Sequence, residues 1–573
     1  MRALSGVVSS THWLATQAGL RVLAAGGNAV DAAVAAGFVL QVVEPDMNGP
    51  GGEVVALVCH PAEPGVRVVC GQGVAPAAAT HGLFADLGLH LVPGCGPLAA
   101  TVPGAFGAWT LMLSRWGTAE LDDVLSDAIG YAQRGYPVTD RIAATIGAVA
   151  PVFTANWPTS AGTWLSRGTA PASGTALTNA ALADTWTRLL KESHASGPGR
   201  HERLATASDA WYRGFVAEEI EHFCARTAVR DVSGGVHRGL LTQDDLGAWQ
   251  PRVEDPVLFD FGELTVAKTG PWGQGPVFCQ QLALLDGLDL GGPDRVHVLV
   301  ESAKLAFADR EAWYGDPRFF DVPLAALLDR GYADGRRAAI GDQASPGLCP
   351  GTPGGRRPRL PVIRGSEPGT DWGSAMLPTV GPGDTCHIAT ADASGIMVSA
   401  TPSGGWLQGS PVIPRLGFPL GTRAQMFWLQ PGLAASLAPG ARPRTTLSPT
   451  IVLRRGEPWL AFGTPGGDKQ DQWSLWAFLA MLGESRGLAA ALAAPRGHVT
   501  HFPSSFYPRT AAGHVVVEAD IGEAVIGRLR GKGHQVREVR PGSLGRVAVA
   551  GRDGRRLVAA ADRRGGCAAA DGR

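Results

Sequence analysis

The sequence predicts an α+β fold in which antiparallel sheets are covered by helices. Two observations support this fold class. Apolar residues recur at helical spacing over residues 16–43 and again over residues 100–340. After residue 383 the pattern changes to alternation of apolar and polar residues, with turn residues between the alternating runs.

The first helical stretch, residues 16–43, reads TQAGLRVLAAGGNAVDAAVAAGFVLQVV. It predicts two alanine-rich helices separated at Gly26-Gly27-Asn28, and the Asn28 side chain can cap the second helix. The next segment is MNGPGG, residues 47–52, and its spacing matches neither the dinucleotide nor the P-loop glycine pattern. A tight turn is therefore predicted here, followed by a short strand over residues 53–59.

Residues 100–340 are predicted to be largely helical, with capping residues and Gly or Pro at the ends of the helical runs. Residues 341–383 differ, because Pro, Gly and Arg dominate and hydrophobic periodicity is lost. No element is predicted there. A structureless stretch of this length inside a compact protein is uncommon and is usually functional or disordered.

The remaining chain predicts three hairpins and one helix. The hairpins pair residues 387–392 with 396–401, residues 448–453 with 459–464, and the two halves of 546–561 around Asp553-Gly554. The helix runs from about Asp468 to Leu482, and Asp468 and Asp471 are interpreted as residues that complement its positive end.

Composition excludes several classes of function. The 573 residues carry 50 Lys and Arg against 51 Asp and Glu, so the net charge of −1 favours neither nucleic acid nor an anionic membrane as partner. No apolar run reaches the ~18 residues that span a bilayer, and the amino terminus lacks a secretion signal pattern. A cytoplasmic protein is expected. The eight cysteines form no C-x-x-C pair, and neither a metal site nor a cofactor is predicted.

A candidate nucleophile lies in the segment Gly383-Asp384-Thr385-Cys386-His387, where the Pro/Gly-rich stretch meets a predicted strand. Cleavage of the Asp384–Thr385 bond would make Thr385 a new amino terminus. Its α-amine would have a reference pKa of about 7.7–8 and would lie beside the Thr hydroxyl. A threonine and its own amine form a recognised nucleophile and base pair. On the residues alone, an ordinary threonine before a strand is the favoured interpretation.

Two further segments carry candidate catalytic groups. Gly466-Gly467 precede the predicted helix, and backbone amides at such a position can stabilise an oxyanion. Thr445-Thr446 place two adjacent hydroxyls before a strand. Taken separately, the first segment is also compatible with a simple strand-to-helix turn, and the second with an ordinary loop.

Together these segments resemble the γ-glutamyltransferase family of N-terminal-nucleophile hydrolases. The similar segments are residues 18–45 (AGLRVLAAGGNAVDAAVAAGFVLQVVEP), 102–109 (VPGAFGAW), 383–395 (GDTCHIATADASG), 445–450 (TTLSPT) and 464–467 (TPGG). In the resemblance, Thr385 takes the nucleophile position, and Gly466 and Gly467 take the positions of the oxyanion-hole glycines.

The resemblance implies an αββα four-layer sandwich and a precursor that cuts itself between Asp384 and Thr385. Residues 1–384 would form the large subunit, which ends in the autocleavage segment 341–384, and residues 385–573 would form the small subunit. Thr385 would attack the preceding carbonyl during maturation and a substrate acyl group during turnover. The acyl group would then pass to water or to an amine. The oligomeric state beyond the cleaved pair is left open.

The chain departs from the family where a glutamyl substrate would be held. The family's Arg position holds Gln72, its Asn position is matched to Gly405, and its acidic stretch aligns with residues 421–427, where Arg423 is present and acids are absent. A buried substrate ammonium without a counter-ion would cost several kcal/mol. Arg423 instead offers a planar fork to a carboxylate. The alternative is that Arg423 is a solvated or structural arginine.

We therefore predict a small acidic substrate whose acyl group lacks an α-amine, such as an oxalyl, oxamate-like, malonyl or glutaryl compound. The predicted substrate-binding residues are Gln72, Ser403, Arg423, Thr445 and Thr446. Within the resemblance, three alternatives remain: a genuine glutathione hydrolase, a C–C bond hydrolase of alkylproline antibiotic pathways, and an uncleaved binding paralogue without catalysis.

Three other sets of residues near these segments are interpreted structurally. His387 lies on the same strand face as Thr385 and is expected to be a packed histidine, whereas Cys386 faces the opposite side and is expected in the core. Trp406, Trp428 and Trp473 either line a pocket or pack in the core.

Overall fold

The computed structural model describes residues 1–363, 385–483 and 487–573. Asp384, one partner of the predicted scissile bond, lies outside the described residues, as does the 364–383 part of the Pro/Gly-rich segment. In residues 341–363 the model has one short 3-10 turn, Pro353–Gly355, and otherwise no helix or strand, as predicted.

The strands, in chain order, are β1 (Arg2–Ala3), β2 (Gly6–Ser10), β3 (Glu53–Cys59), β4 (Val66–Gly71), β5 (Tyr136–Pro137), β6 (Ala176–Leu177), β7 (Val229–Arg230), β8 (Val236–His237), β9 (Arg252–Glu254), β10 (Val257–Phe261), β11 (Leu264–Lys268), β12 (Ile388–Asp392), β13 (Met397–Ser403), β14 (Val412–Ile413), β15 (Phe418–Pro419), β16 (Thr450–Arg454), β17 (Glu457–Gly463), β18 (Gly497–Val499), β19 (Val515–Glu518), β20 (Val536–Val539), β21 (Ala548–Asp553), β22 (Arg556–Ala561) and β23 (Ala569–Gly572).

Two large antiparallel sheets form the centre of the described structure. The first has the strand order β1-β22-β21-β17-β16-β11-β10, and the second has the order β23-β2-β12-β13-β3-β4-β9. In the second sheet, β12 pairs with β2 on one side and with β13 on the other, and β13 pairs in turn with β3. The predicted nucleophile strand therefore lies in the interior of this sheet.

The helices are α1 (Trp13–Ala24), α2 (Ala29–Val43), α3 (His81–Asp86), α4 (Ala105–Trp116), α5 (Leu121–Arg134), α6 (Asp140–Asn156), α7 (Pro158–Trp164), α8 (Ala180–Ala195), α9 (Arg200–Tyr212), α10 (Phe215–Arg226), α11 (Gln243–Ala248), α12 (Gly275–Leu285), α13 (Arg295–Trp313), α14 (Leu324–Leu327), α15 (Arg330–Arg337), α16 (Gln470–Gly483), α17 (Leu488–Ala493) and α18 (Glu523–Gly531). No helix in the described ranges is both long enough and apolar enough to cross a bilayer.

Three clusters of buried residues cover the faces of the two large sheets. One cluster lies between the two sheets and contains Val55 and Ala389 of the second sheet together with Ile451 and Ala550 of the first. A second cluster packs α2, α4 and α5 on the other face of the second sheet. A third packs α12, α13 and α16 on the other face of the first sheet. Because both faces of the second sheet are covered, its central strands β12 and β13 are buried at every position, polar residues included.

Several sequence predictions are confirmed in detail. Asn28 caps α2, accepting from the amides of Val30 and Asp31, and the Asp31 side chain accepts in return from the Asn28 amide. The three predicted hairpins are β12–β13, β16–β17 and β21–β22.

The prediction that residues 100–340 are largely helical is confirmed except mainly over residues 252–268. Residues 252–268 form β9, β10 and β11, and these strands extend both large sheets. Residues 257–268 form a hairpin around Gly262, which has a positive φ of 62°. The pairing of β11 with β16 was invisible to local periodicity, because β16 lies nearly two hundred residues further along the chain.

Candidate active site

Thr385 lies at the start of the nucleophile strand and is fully buried. It forms an isolated antiparallel bridge with Ser403, the last residue of β13. The Thr385 hydroxyl donates a hydrogen bond to Ser403 Oγ over 3.2 Å. The hairpin formed by β12 and β13 thus holds the candidate nucleophile against a second hydroxyl.

Arg423 is connected to the nucleophile through that serine. Its Nη2 donates to Ser403 Oγ over 2.8 Å, and its guanidinium stacks on Trp406, with Cζ 5.2 Å from the ring centroid. Arg423 is buried, and its Nη1 has no hydrogen-bond partner among the described residues. The guanidinium therefore lies two hydrogen bonds from the Thr385 hydroxyl and has a spare donor.

Glu53 is a site residue that the sequence analysis missed. Its Oε1 lies 2.6 Å from Arg423 Nε and accepts a hydrogen bond from the Thr445 hydroxyl over 3.1 Å. Its Oε2 has no hydrogen-bond partner in the part of the chain that the structure describes. Burial raises the pKa of Glu53, although Arg423 and Thr445 act in the opposite direction. In the sequence, the signal for Glu53 was a carboxylate at the first position of the otherwise apolar strand EVVALVC.

The glycine-rich turn before β3 places Glu53 at this position. A Cβ on Gly51 would lie 2.1 Å from the carbonyl oxygen of Pro419, and a Cβ on Gly52 would lie 2.2 Å from that of Ser403. Only glycine permits such close approach of two backbones. The glycines of this turn therefore allow the start of β3 to pack directly against Ser403.

The paired threonines and Gln72 occupy different environments. Thr445 contacts Glu53, and the neighbouring Thr446 hydroxyl is buried with no hydrogen-bond partner in residues 1–363, 385–483 and 487–573. Gln72 donates from Nε2 to the Pro443 carbonyl and so braces the segment that leads to Thr445. Gln72 also lines a cleft of about 570 Å³ with Trp249. It is not among the contacts that join Thr385, Ser403, Arg423 and Thr445.

Gly466 and Gly467 form the loop that connects β17 to α16. Their φ angles are +137° and +54°, and neither amide donates a backbone hydrogen bond within the described chain. A Cβ on Gly466 would lie 2.2 Å from Trp473. The loop begins beside the nucleophile strand, since a Cβ on Gly463 would lie 2.4 Å from His387. Two free amides here are suited to stabilising an oxyanion.

Arg310 and Glu311 are consecutive buried residues near the end of α13. They stabilise two loops of the candidate site, the loop that contains the glycine pair and the loop that leads to Thr445. Arg310 Nη1 lies 2.5 Å from Asp468 Oδ1, directly after the glycine pair, and Glu311 Oε1 lies 2.6 Å from Arg444 Nη2, directly before Thr445. The interpretation of Asp468 as a helix-end residue is therefore wrong, because its carboxylate is used in this buried ion pair. Asp471 likewise pairs with Lys268, over 2.9 Å, with both side chains fully buried.

We expect Arg310→Met to destabilise the protein by about 3–5 kcal/mol, because it leaves the Asp468 carboxylate buried without its partner. Chemical denaturation of the purified protein measures this loss. Arg530→Met is the matched control, since Arg530 pairs with Glu538 at the surface, where an ion pair contributes about 0.2–1 kcal/mol. Equal losses for the two variants would contradict the assignment of Arg310 as a loop support.

His387 and Cys386 have the structural roles that were expected of them. His387 Nδ1 lies 3.0 Å from the Thr401 hydroxyl, and burial, followed by the charge of Lys268, lowers the pKa of His387 to about 3. It is therefore uncharged near neutral pH. Cys386 belongs to the core beneath the helices and lies 3.1 Å from Glu44, and burial raises its pKa well above the ordinary value.

Comparison with known proteins gives consistent matches over the whole chain. The family model described as gamma-glutamyltranspeptidase matches residues 15–571. Acylase ACY 1 proenzyme of Pseudomonas sp. (strain SE83) is 31% identical, covering 93% of this chain and 87% of its own length. Oxamate amidohydrolase proenzyme of Klebsiella pneumoniae subsp. pneumoniae is 30% identical, covering 93% and 91%. A solved structure described as that of LmbA2991HD is 50% identical with a TM-score of 0.94, covering 100% and 99%.

Proposed function

Because the chain belongs to the gamma-glutamyltranspeptidase family, we propose that it is an autocatalytically processed N-terminal-nucleophile hydrolase that acts on a small acidic substrate. In this proposal the two large sheets and their covering helices are the αββα sandwich of such enzymes. Residues 1–384 form the large subunit, and residues 385–573, which begin with Thr385, form the small subunit.

Maturation proceeds by attack of Thr385 Oγ on the carbonyl carbon of Asp384. The C–N bond breaks, the Thr385 nitrogen takes a proton, and an ester joins the two pieces until water hydrolyses it. Ser403 Oγ accepts the hydrogen bond of the Thr385 hydroxyl, which aims the oxygen before attack. The products are the Asp384 carboxylate and the free α-amine of Thr385.

Turnover uses the same oxygen with the new amine as its base. The amine accepts the hydroxyl proton while Oγ attacks the substrate carbonyl, and the proton then passes to the leaving group. The amides of Gly466 and Gly467 stabilise the oxyanion. Water attacks the resulting acyl-enzyme and releases the acid, which restores the Thr385 hydroxyl.

The observation that carries the substrate proposal is the short connection from Thr385 through Ser403 to Arg423. A carboxylate held by the spare Arg423 Nη1 would lie close to the attacked carbonyl, as it does in an oxalyl or oxamate-like compound. The unpartnered hydroxyl of Thr446 adds a second donor. Glu53 Oε2 is a spare acceptor for a substrate N–H. The oxamate amidohydrolase relative supports this choice.

We expect the wild-type protein to release ammonia from oxamate, and Arg423→Gln to lower kcat/KM for oxamate by about 10- to 150-fold. This range corresponds to the 1.5–3 kcal/mol of a charged hydrogen bond. Steady-state assays on fully processed protein measure it. Arg415→Gln is the control, since Arg415 is an exposed arginine that pairs with Glu219.

The assay panel also contains a γ-glutamyl anilide, a glutaryl amide and an oxalyl-substituted C–C substrate. Turnover of none of the acidic compounds, or an Arg423→Gln effect no larger than that of Arg415→Gln, would contradict the assigned substrate class. If only the C–C substrate were cleaved, the proposed position of the carboxylate beside the attacked carbonyl would stand. The bond that the enzyme breaks would then be a C–C bond and not an amide bond.

A second candidate function, glutathione hydrolysis, is favoured by one observation. The unpartnered Oε2 of Glu53 supplies, from another segment, a carboxylate like the one missing from residues 421–427. It would accept the α-ammonium of a γ-glutamyl group. However, burial opposes ionisation of Glu53, which weakens it as a counter-ion. Faster turnover of the γ-glutamyl anilide than of oxamate would establish this candidate over the first.

A further inference from the structure

Two histidines and a glutamate outside the candidate active site come together from distant parts of the chain. His297 and Glu301 lie one turn apart on α13, and His534 lies between α18 and β20. All three side chains are at least 95% buried, and one ligand atom from each lies within 4.8 Å of the others. The sequence analysis predicted no metal site, because it considered only ligands with a recognised spacing along the chain.

The separations between the ligand atoms suit a small transition-metal ion. His297 Nδ1 lies 2.8 Å from His534 Nε2, and His534 Nε2 lies 3.9 Å from Glu301 Oε1. Tetrahedral zinc with bonds of about 2.0–2.1 Å holds its ligand atoms about 3.3 Å apart. The two observed separations fall on either side of this value, so modest side-chain rotations suffice to form the site.

Hydrogen bonds around the cluster orient the ligand atoms as they do at metal centres. His297 Nε2 lies 2.7 Å from the Gly341 carbonyl, and a carbonyl can only accept, so this nitrogen carries the proton. The lone pair of neutral His297 is therefore on Nδ1, facing His534. A metal-binding histidine commonly has its other nitrogen held by a carbonyl in this way. His534 Nδ1 has no hydrogen-bond partner within the described ranges, so the proton of neutral His534 can move there and leave Nε2 free to bind.

One neighbour affects how well an ion would be held. Lys304 Nζ lies 2.7 Å from Glu301 Oε1 and also donates to the Ser345 carbonyl. Lys304 therefore orients the carboxylate but competes with a cation.

We propose that His297, Glu301 and His534 form a binding site for a divalent transition-metal ion of the zinc class. Imidazole and carboxylate ligands in this number suit Zn²⁺, Co²⁺ or Ni²⁺ better than the oxygen-seeking Mg²⁺ or Ca²⁺. His297 and Glu301 precede residue 385, whereas His534 follows it. If the chain is processed as proposed above, the ion would join the two subunits, but its binding requires no processing.

The test uses the full chain with any affinity tag removed and with metals stripped by a chelator. Zn²⁺ is titrated against a chromophoric competitor, Co²⁺ binding is followed by its visible absorption, and bound metal is measured by elemental analysis. We expect one ion per chain, the visible spectrum of tetrahedral Co²⁺, and a rise in Tm on addition of Zn²⁺.

Two substitutions are expected to change the Zn²⁺ affinity in opposite directions. His534→Ala is expected to weaken Zn²⁺ binding at least a hundredfold and to abolish the Tm shift, whereas Lys304→Met is expected to tighten binding by about tenfold, because it removes the competing cation. His201→Ala, at an exposed histidine, is the control and should bind as the wild type does. If His534→Ala does not fold, His297→Gln and Lys304→Met still decide the question. No stoichiometric binding, or binding unaffected by these substitutions, overturns the proposal.

Discussion

Purified Thr385→Ala is expected to migrate as one uncut chain of 59.5 kDa, whereas the wild-type protein is expected to separate into pieces of 384 and 189 residues. The substitution removes the hydroxyl that donates to Ser403, so the bond before residue 385 loses its proposed nucleophile. Turnover is expected to fall on the order of 10⁶-fold, as when a protease loses its nucleophile. Denaturing gels and intact mass measure the first effect, and the oxamate assay measures the second.

Thr385→Ser provides the control, because it keeps a hydroxyl and the α-amine and loses only the methyl group that restricts χ1. It should be processed, although more slowly than the wild type. Amino-terminal sequencing of the small piece should then give Ser-Cys-His-Ile, against Thr-Cys-His-Ile in the wild type. A fully intact wild-type chain would establish the uncleaved binding paralogue and refute the proposed enzyme mechanism.

Gly466→Ala is expected to lower kcat by about 10²–10³-fold, the usual loss when an oxyanion donor is displaced. The new Cβ would lie 2.2 Å from the buried Trp473 ring, at a φ of +137° that side chains other than glycine rarely adopt. The loop must therefore move, and its amides with it. Single-turnover kinetics on processed protein measure the chemical step, and KM for oxamate should change less than kcat.

The matched control for this substitution is Gly483→Ala at the end of α16. The added methyl group there meets no described residue within 4 Å, so kcat should be unchanged. Processing of Gly466→Ala is expected to slow as well, because the tetrahedral intermediate of self-cleavage needs the same stabilisation. A variant with normal kcat and complete processing would place the oxyanion donors elsewhere.

Local signals were sufficient for much of the fold. Asn28 and its capping partner mark the start of α2, and the alternating runs around residues 393–395 mark the hairpin that holds Thr385. These features depend on hydrogen bonds and turns between residues that are near in sequence. The strands β9 to β11 depend instead on partners far along the chain, which periodicity does not report.

The residues of the candidate site also divide into those with a local sequence signal and those whose partners are distant in the sequence. Thr385, Ser403 and Arg423 were found from their segments, but Glu53 was missed because its carboxylate reaches Arg423 across more than three hundred residues of sequence. Asp468 was misinterpreted for a related reason. An acid at the start of a helix ordinarily complements the helix dipole, and only the fold shows that Arg310 of α13 is its partner.

The order of strands in the second sheet has a consequence for how such a protein can be made. β12 and β13, which follow residue 385, are inserted between β2 and β3, which precede it. If residues 1–384 and 385–573 were synthesised as separate polypeptides, each would expose unpaired strand edges, which promote aggregation. Expression of the two pieces from separate genes should therefore give insoluble protein. Synthesis as one continuous chain allows the strands on either side of residue 385 to pair in a single sheet.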